Sequence, residues 1–351
     1  HFDAWVYGAS DPNSGTAMLL TLADALGKLA KQGYRPKRTI KIAHWDAEEH
    51  GIIASSEWVE QLREELNEKA IAYFNADGAC SGLNFGGASS PTLKSLMLDA
   101  TKDVQYGDSN QSVYEHWISR SRTPEKGPDI GNLGGGSDHL AFYAHAGIPS
   151  LSAGMGGPTL YHSAYDSYHW YKTFADPEFI SGPTVARLFG LMAMRLANAD
   201  VLPLDVKRYG QDLKMHLGNV VKEVRKYKAD YELDGLIELA SEIEMLGTDL
   251  DKRLSKKLSA KNPDAASLAA INKQMIALER FFLDEEGMAY GKWYQSLYAS
   301  SDPYSGYASW MLPGFLYEAS LQSTENLDKL EMRYRKAMEN LAAAIEGLLK
   351  Q

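Results

Sequence analysis

The sequence predicts an α/β domain with a mostly parallel sheet and helices on both faces, followed by an α-helical domain. Strand-like and helical segments alternate from residue 1 to about residue 200, which is typical of a parallel sheet covered on both faces. From about residue 204 the strand signals stop, and apolar residues recur at helical spacing. The two predicted domains therefore span 1–203 and 204–351.

The elements of the first domain follow from periodicity and end signals. Residues 14–33 carry apolar residues at helical spacing and end at Gly33, which suits a helix C-cap. The segment RTIKIAHW predicts a strand over 38–45. The remaining predicted elements are a helix over 51–69, a strand over 70–77, a helix over 91–104, a strand over 147–154 and a helix over 183–199.

The second domain is predicted to contain about four helices, each with apolar residues at helical spacing. They span 212–227, 231–254, 267–283 and 327–351. Between the last two lies a long loop over about 285–325 that is rich in Tyr, Trp, Ser, Gly and Pro. Because a loop of this length is uncommon in a compact domain unless it is functional, we expect it to reach a binding site.

Composition narrows the classes of partner. The chain has 351 residues, with 36 Lys and Arg against 46 Asp and Glu, so its net charge is -10. This balance and the lack of a basic run argue against a nucleic-acid partner. The longest apolar stretches are too short for a membrane span. Cys80 is the single cysteine, so an internal disulfide is excluded.

Two imidazoles and three carboxylates form a candidate set of metal ligands. They are His1, Asp11, Glu49, Asp77 and His162. Zinc accepts both nitrogen and carboxylate oxygen, and two zinc ions can share an aspartate. Glu49 follows one predicted strand and Asp77 ends the next, and the carboxyl ends of parallel strands are where sheet enzymes place their sites.

Three further residues are placed to assist hydrolysis. Glu48, the neighbour of Glu49, is a candidate general base that passes a proton to the leaving amine. Asp3, two residues after His1, is placed to accept the second ring N–H of that imidazole. Tyr161 is a candidate donor to a developing oxyanion.

Each of these residues also has an ordinary structural interpretation. A lone Asp or Glu at a strand end is more often a helix cap or a solvated loop charge. His1, taken singly, could be a tag remnant, and His162 could be a hydrogen-bonded surface residue. We take the other seven histidines as structural or exposed. Only the combination of residues favours a metal site.

Several segments occurring in order resemble one family of enzymes. The segments HFDAWVYGASDPNSG, WDAEEHGIIASSEW, YFNADG, LGGGSDH and LYHSAYDSY resemble the co-catalytic di-zinc peptidases of the glutamate carboxypeptidase II and transferrin receptor group. The resemblance runs through the whole chain. It implies a zinc-peptidase domain followed by a helical domain that forms a homodimer.

The resemblance also assigns roles. It implies that Asp11 bridges two Zn²⁺ ions, that His1 and Asp77 complete one site, and that Glu49 and His162 complete the other. Glu48 is then the proton shuttle, and the peptide bond between Asp11 and Pro12 is expected to be cis.

The substrate pocket departs from the family pattern. Glutamate-specific members carry a Lys-Tyr pair in the long loop, whereas this chain has Gly306 and Tyr307. The family's GSGND segment is GGGSD here, so that Ser137 and Asp138 occupy its last two positions. An arginine-bearing stretch is replaced by LSAGMGG. We therefore expect a broader or more apolar side-chain preference, with Ser137, Asp138 and Tyr307 in the pocket.

The resemblance also bears on a possible calcium site, on the extent of the protein and on its location. Glu57 and Glu60 match positions that in some relatives bind a structural Ca²⁺, although a solvated helical face is an equally good interpretation. The family's apical insertion and the start of its peptidase domain have no counterpart here, so we expect a longer protein that begins before His1. The resemblance alone favours a secreted, periplasmic or extracellular location.

The sequence thus predicts a zinc-dependent exopeptidase that hydrolyses small peptides through a zinc-bridging water activated by Glu48. Carboxypeptidase and aminopeptidase or dipeptidase directions both remain open. One alternative is a catalytically silent receptor-like or binding module on the same fold. Another is a di-zinc deacylase or aminoacylase that acts on non-peptide amides.

Overall fold

The computed structural model describes residues 1–259 and 264–351, and it confirms an α/β part followed by a helical part. Residues 260–263 of the predicted second domain lie outside the described residues. The first part contains α1 (Asn13–Lys31), α2 (Ile53–Gln61), α3 (Arg63–Lys69), β1 (Tyr73–Asn75), β2 (Asn84–Ser89), α4 (Lys94–Asp103), α5 (Val113–Ile118), β3 (Ser150–Gly156), α6 (Tyr168–Trp170) and α7 (Ser181–Asn198). The second part contains α8 (Lys207–Val224), α9 (Asp234–Leu258), α10 (Ala265–Ala277), β4 (Ala299–Ser301), β5 (Ser309–Met311), α11 (Pro313–Ser320) and α12 (Leu327–Leu349).

The sheet of the first part is small and mixed, with strand order β1-β3-β2. The central strand β3 pairs parallel with β1, where Phe74 lies opposite Leu151, and antiparallel with β2, where Phe85 lies opposite Met155. Alternate residues of β3 point into the core, because Leu151, Ala153 and Met155 are buried. The parallel pair matters most here, since β1 leads directly into Asp77.

The predicted strand over 38–45 is wrong for the described part of the chain. The segment is extended without a β-ladder. Its backbone bonds are isolated ones: Arg38 donates to the carbonyl of Ala197, and Phe2 donates to the carbonyl of Trp45. A strand requires a paired neighbour, and no described segment runs alongside this one as a partner. The predicted strand over 70–77 shortens to β1 for the same reason.

Two predicted helices change form. The helix predicted over 51–69 is divided at Leu62 into α2 and α3. The helix predicted over 91–104 begins with the 3₁₀ turn Pro91–Leu93 and continues as α4. The helices predicted over 14–33 and 183–199 are confirmed as α1 and α7, with ends shifted by one or two residues.

The helical part is built around α8, α9 and α12. Helix α9 buries residues at intervals of three and four, as an amphipathic helix does: Leu236, Ala240, Ile243, Gly247, Leu250 and Leu254. Helices α8 and α9 approach closely at Gly210, where a Cβ atom would lie 2.4 Å from the carbonyl oxygen of Ala240. The apolar core runs continuously from this part into the first one, and a second apolar cluster includes Trp45, Val59 and Phe142.

The long loop contains regular structure that the sequence prediction missed. Strands β4 and β5 form an antiparallel hairpin, and α11 follows it. The prediction of a strand-free second domain was therefore wrong. The hairpin packs on the glycine-rich segment of the first part, because a Cβ on Gly134 would lie 2.6 Å from the carbonyl oxygen of Ser300. Among the described residues, no helix combines the length and hydropathy needed to cross a bilayer.

Candidate metal centre

The structure brings the two imidazoles and the predicted carboxylates into one cluster. Nε2 of His1 lies 3.2 Å from Oδ1 of Asp77 and 3.4 Å from Oδ1 of Asp11. Nε2 of His162 lies 3.1 Å from Oε2 of Glu49 and 3.3 Å from Oδ2 of Asp11. Residues separated by 161 positions in sequence thus face one central aspartate.

The two oxygens of Asp11 face different histidines. Its Oδ1 is directed at His1 and its Oδ2 at His162. A carboxylate in this position divides the cluster into a side that contains Asp77 and a side that contains Glu49. This is the arrangement expected of an aspartate that is shared between two ions.

Glu48 lies beside the cluster rather than at its centre. Its Oε2 is 3.7 Å from Nε2 of His1, the longest of the contacts of that nitrogen with a carboxylate. Two overlapping groups are close enough to hold an ion: one is His1, Glu48 and Asp77, and the other is His1, Asp11 and Glu49. Glu48 is thus close enough to His1 and Asp77 to contact an ion held by that group.

Asp3 connects His1 to the acidic pair. Its two carboxylate oxygens accept the backbone N–H groups of Glu48 and Glu49, each at 3.1 Å. Nδ1 of His1 lies 2.9 Å from the backbone carbonyl oxygen of Asp3 and 3.4 Å from its carboxylate. The carbonyl is therefore the nearer acceptor for that ring nitrogen, and the carboxylate orients the acidic pair. Ala47, directly before the pair, has a φ of 54°, a strained conformation for a residue with a Cβ.

Asp166 orients the central aspartate, and the sequence prediction missed it. Its carboxylate accepts the backbone N–H of Ser10 at 2.9 Å and that of Asp11 at 3.2 Å. The Asp11–Pro12 peptide bond that follows is cis, as expected. His162 has a φ of 51°. Asp166 stands in the same LYHSAYDSY segment as His162, so its position was the available signal.

The cluster is acidic, and its two imidazoles compensate its carboxylates only in part. Burial would lower the pKa of His1, but the adjacent carboxylates of Asp11 and Asp77 outweigh it and raise that pKa to about 12. Burial raises the pKa of Glu48 to about 8 and also raises the pKa of Asp11 and of Glu49. The neighbouring charges that shift these values are other carboxylates and the two imidazoles.

Among the described residues, two buried oxygen atoms of the five predicted ligands have no hydrogen-bond partner. They are Oδ1 of Asp11 and Oε1 of Glu49. A buried carboxylate oxygen without a donor is costly unless a cation neutralises it. Nitrogen and carboxylate donors with orphaned oxygens fit divalent metal ions, and zinc accepts this donor set.

Two tyrosines flank the cluster on its solvent side. The ring of Tyr161 stacks on that of His162, with centroids 3.6 Å apart and planes 17° apart, and the residue is 50% exposed. Partial burial and the neighbouring Tyr307 raise the pKa of Tyr161. Tyr307 is 60% exposed and belongs to the loop between β4 and β5, which packs over Gly136.

Ser137 and Asp138, predicted for the substrate pocket, are buried instead at 6% and 1% exposure. The hydroxyl of Ser137 donates to Oδ2 of Asp77 at 2.7 Å. Asp138 accepts the hydroxyl of Ser55 at 2.6 Å, and burial raises its pKa to about 6. Both residues therefore line the protein side of the cluster.

The predicted calcium site has an incomplete set of ligands in the described residues. Glu57 and Glu60 lie on α2, and Oε1 of Glu60 accepts the indole N–H of Trp293 at 2.6 Å. The groups of three potential ligands found in the described chain do not include either glutamate. Calcium at this position stays a prediction.

Comparisons with known proteins agree with this architecture. Residues 1–175 match peptidase family M28, and residues 232–348 match the transferrin receptor-like dimerisation domain. A probable glutamate carboxypeptidase LAMP1 of Arabidopsis thaliana is 37% identical over 317 residues, which are 90% of this chain and 45% of that protein.

Two other relatives cover a similar share of the chain, and one of them is named as an aminopeptidase. A probable glutamate carboxypeptidase of Arthroderma benhamiae is 36% identical over 93% of this chain and 45% of its own length. The aminopeptidase NAALADL1 of Mus musculus is 33% identical over 88% of this chain and 44% of its own length. The chain therefore spans about half the length of the curated relatives it matches, and those relatives include enzymes named for opposite ends of a peptide.

Proposed function

Because the chain belongs to peptidase family M28 and carries a transferrin receptor-like dimerisation domain, we propose that it supplies the catalytic centre of a zinc-dependent exopeptidase acting on small peptides. The observation that carries this proposal is the division of the cluster by Asp11. Each of its oxygens faces a different imidazole, and each imidazole has its own further carboxylate.

Two zinc ions would occupy the cluster. His1, Asp11 and Asp77 would hold one ion, and Asp11, Glu49 and His162 would hold the other. Bound zinc supplies Lewis acidity to the scissile carbonyl and lowers the pKa of water. The orphaned oxygens of Asp11 and Glu49 support this assignment, since a bound cation would neutralise both.

Glu48 acts as the general base. Its carboxylate takes a proton from the attacking water and delivers it to the leaving amine, and its position 3.7 Å from Nε2 of His1 puts it beside the proposed zinc ions. Asp3 holds the Glu48 backbone in place through the N–H it accepts. Tyr161 donates a hydrogen bond to the developing oxyanion, because its ring stacks on that of His162 and so stands beside the centre.

The long loop supplies the substrate side of the site. Tyr307 is exposed beside Tyr161 and is placed to meet the substrate, whereas the buried Ser137 and Asp138 support the cluster from behind. The peptidase domain spans 1–203 and the helical domain 204–351, and the latter forms a homodimer. The relatives are named as glutamate carboxypeptidases and as an aminopeptidase, so removal of residues from either end of a peptide is a candidate activity.

Metal content and a single substitution test the proposal. The purified chain should contain about two zinc ions by mass spectrometry, and Glu48→Gln should retain them while hydrolysis falls by about 10²–10⁴-fold. Glu64→Gln, an exposed glutamate of α3, is the matched control and should behave like the parent. Zinc binding without peptide hydrolysis by the parent would instead favour a receptor-like module, and hydrolysis of only acylated amides would favour a deacylase.

The direction of attack needs a separate experiment. Peptide libraries with blocked N-termini and with blocked C-termini are digested in parallel by the parent chain and by Glu48→Gln. Cleavage of N-blocked peptides alone identifies a carboxypeptidase, and cleavage of C-blocked peptides alone identifies an aminopeptidase.

A further inference from the structure

A continuous chain of hydrogen bonds links the second apolar cluster to the metal centre. All five side chains come from the first part of the molecule and converge around the end of β1. The indole N–H of Trp45 donates to the Tyr73 hydroxyl at 3.1 Å, Tyr73 to Oδ1 of Asn75 at 3.2 Å, Nδ2 of Asn75 to Oγ of Ser137 at 2.9 Å, and Ser137 to Oδ2 of Asp77 at 2.7 Å.

The two ends of this hydrogen-bond chain determine which group donates and which accepts along it. The indole of Trp45 can only donate, and the ionised carboxylate of Asp77 can only accept. Each hydroxyl between them has one hydrogen, so Tyr73 and Ser137 both accept from one side and donate to the other. The single hydroxyl hydrogen of Ser137 is therefore committed to Asp77.

The hydrogen-bond chain also selects which oxygen of Asp77 faces the cluster. Oδ2 accepts the bond from Ser137, whereas Oδ1 lies 3.2 Å from Nε2 of His1. A carboxylate held at one oxygen cannot rotate without breaking that bond. Its other oxygen is thereby kept on the side of the cluster where an ion would bind.

Aromatic packing fixes the end of the hydrogen-bond chain that is remote from the metal centre. The ring of Tyr73 stacks on Phe142 with centroids 3.9 Å apart and planes 11° apart. Trp45 packs against Trp58 with centroids 5.3 Å apart. Asn75, in the middle, is buried. The apolar cluster therefore provides a rigid support for a polar chain that ends at the metal centre.

We infer that Ser137 is a positioning residue for Asp77, and that the hydrogen-bond chain from Trp45 increases the affinity of the His1 side of the centre for zinc. This inference rests on the proposed function, because it requires Asp77 to be a ligand. Groups that hydrogen-bond to metal ligands typically change metal affinity by about 10–100-fold when they are removed. Chains of hydrogen bonds also strengthen one another, so more remote links should contribute a smaller amount.

Zinc affinity, measured by competition with a chelating indicator, tests the inference without any assay of activity. Ser137→Ala should weaken zinc binding on the His1 side of the centre by about 10–100-fold. Ser137→Thr keeps the hydroxyl and should recover most of the loss. Ser181→Ala is the matched control, since Ser181 is also buried and donates to a carboxylate, that of Asp176, at 2.5 Å. This control should bind zinc as the parent does.

A double substitution separates the hydrogen-bond chain from general effects on packing. Tyr73→Phe removes one hydroxyl from the middle of the chain and should weaken zinc binding by about 2–5-fold, less than Ser137→Ala does. Once Ser137 is replaced, Tyr73 no longer reaches Asp77, so adding Tyr73→Phe should cause no further loss of affinity. An effect through packing would instead add to that of Ser137→Ala.

The possible outcomes are distinct. Unchanged zinc affinity in Ser137→Ala, an equal loss in Ser181→Ala, or additive effects in the double variant would overturn the inference while leaving the proposed function intact. A parent chain that binds no zinc would refute the proposed function and this inference together. If circular dichroism shows that Ser137→Ala does not fold, Tyr73→Phe serves as the test instead. Full retention of zinc affinity in that variant would contradict the proposed role of the hydrogen-bond chain.

Discussion

Two buried groups of charged residues in this molecule solve the same electrostatic problem in different ways. Between the two parts of the chain, Asp212 has both carboxylate oxygens occupied by cations: Lys94 contacts Oδ2 at 2.6 Å and Arg208 contacts Oδ1 at 3.0 Å. At the metal centre, Asp11 faces two imidazoles among other carboxylates, and its Oδ1 has no hydrogen-bond partner in the described chain. The fold neutralises the first group by itself, whereas under the proposed function a bound cation would neutralise the second.

The comparison distinguishes a buried carboxylate that the fold itself neutralises from one that would need a bound cation. A buried carboxylate that the fold neutralises itself contributes to stability only while its partners remain, because loss of one partner leaves an uncompensated charge. A buried carboxylate that the fold leaves uncompensated costs stability and is retained where a ligand provides the compensation. Variants in the two groups should therefore respond differently to unfolding and to zinc.

The largest expected effect is on stability. Asp212→Ala leaves the ammonium group of Lys94 buried without its carboxylate and should lower the free energy of unfolding by about 3–5 kcal/mol. Denaturant unfolding of the metal-free chain measures it. Asp200→Ala, which removes an exposed partner of Lys37, is the control and should change stability little. A small loss in Asp212→Ala would mean that the first group is not self-compensating.

A second prediction concerns Glu279, the carboxylate of the same interdomain region that the fold compensates least. The side chain is buried against Thr92, its Oε2 has no partner among the described residues, and burial raises its pKa to about 7. Its pKa in the unfolded chain is lower, so the folded chain holds the proton longer. Stability therefore falls as pH rises from about 4.5 to about 7.

Glu279→Gln should remove this part of the pH dependence. At pH 8 it should increase the free energy of unfolding by up to about 3 kcal/mol, while at pH 4 it should change little. The measurement is a series of denaturant curves between pH 4 and pH 8 on the metal-free chain and the variant. Parallel pH profiles for the two proteins would contradict the prediction.

Zinc should stabilise the folded chain by binding to the second group, around Asp11, and not to the first, around Asp212. At a free zinc concentration 100 times the dissociation constant, the parent chain should gain about 2.7 kcal/mol, visible as a higher Tm. Asp11→Ala should lose that gain, because both sides of the centre share this residue. Asp212→Ala should start from a lower Tm and keep the same gain in free energy. Equal stabilisation of Asp11→Ala would show that zinc binds elsewhere.

The clustering of the candidate metal ligands could be predicted from the sequence because short segments carry them to the ends of neighbouring elements. His1, Asp11, Glu49, Asp77 and His162 each stand in a short, distinctive segment. Support from distant segments has no such local signal. Asp166 binds backbone 155 and 156 positions away, and Ser137 binds a carboxylate 60 positions away, so folding alone brings these pairs together.

Elements that depend on a partner were the least predictable. The apolar pattern of 38–45 indicates an extended segment, but a strand also requires a paired neighbour. The hairpin of β4 and β5 was missed for the opposite reason, because segments such as Ala-Ser-Ser have no apolar alternation and are ordered by packing on Gly134. The division of the helix at Leu62 likewise lacks a glycine or proline signal.

The smallest expected effect concerns Asp302, a carboxylate that the chain compensates with neutral donors. Oδ1 accepts the backbone N–H groups of Tyr304 and Ser305 at 2.9 Å and 2.6 Å, and Oδ2 accepts that of Ala308 at 2.9 Å. Burial would raise the pKa of Asp302, but the hydroxyl of Ser305, which donates to Oδ2 at 2.6 Å, and these backbone bonds outweigh it and lower that pKa to about 2. The stabilisation is thus present above about pH 4 and is lost as pH falls towards 2.

Asp302→Asn should therefore loosen the loop that carries Tyr307 without disturbing the metal centre. An amide oxygen replaces only part of the acceptor capacity, so we expect a loss of about 1 kcal/mol and a KM several-fold higher, with kcat changed less. Steady-state kinetics and zinc titration of the variant measure these quantities. A fall in zinc affinity would show that the loop and the metal centre are coupled. Unchanged affinity with a raised KM would show that neutral donors order the substrate side independently of the charges that bind metal.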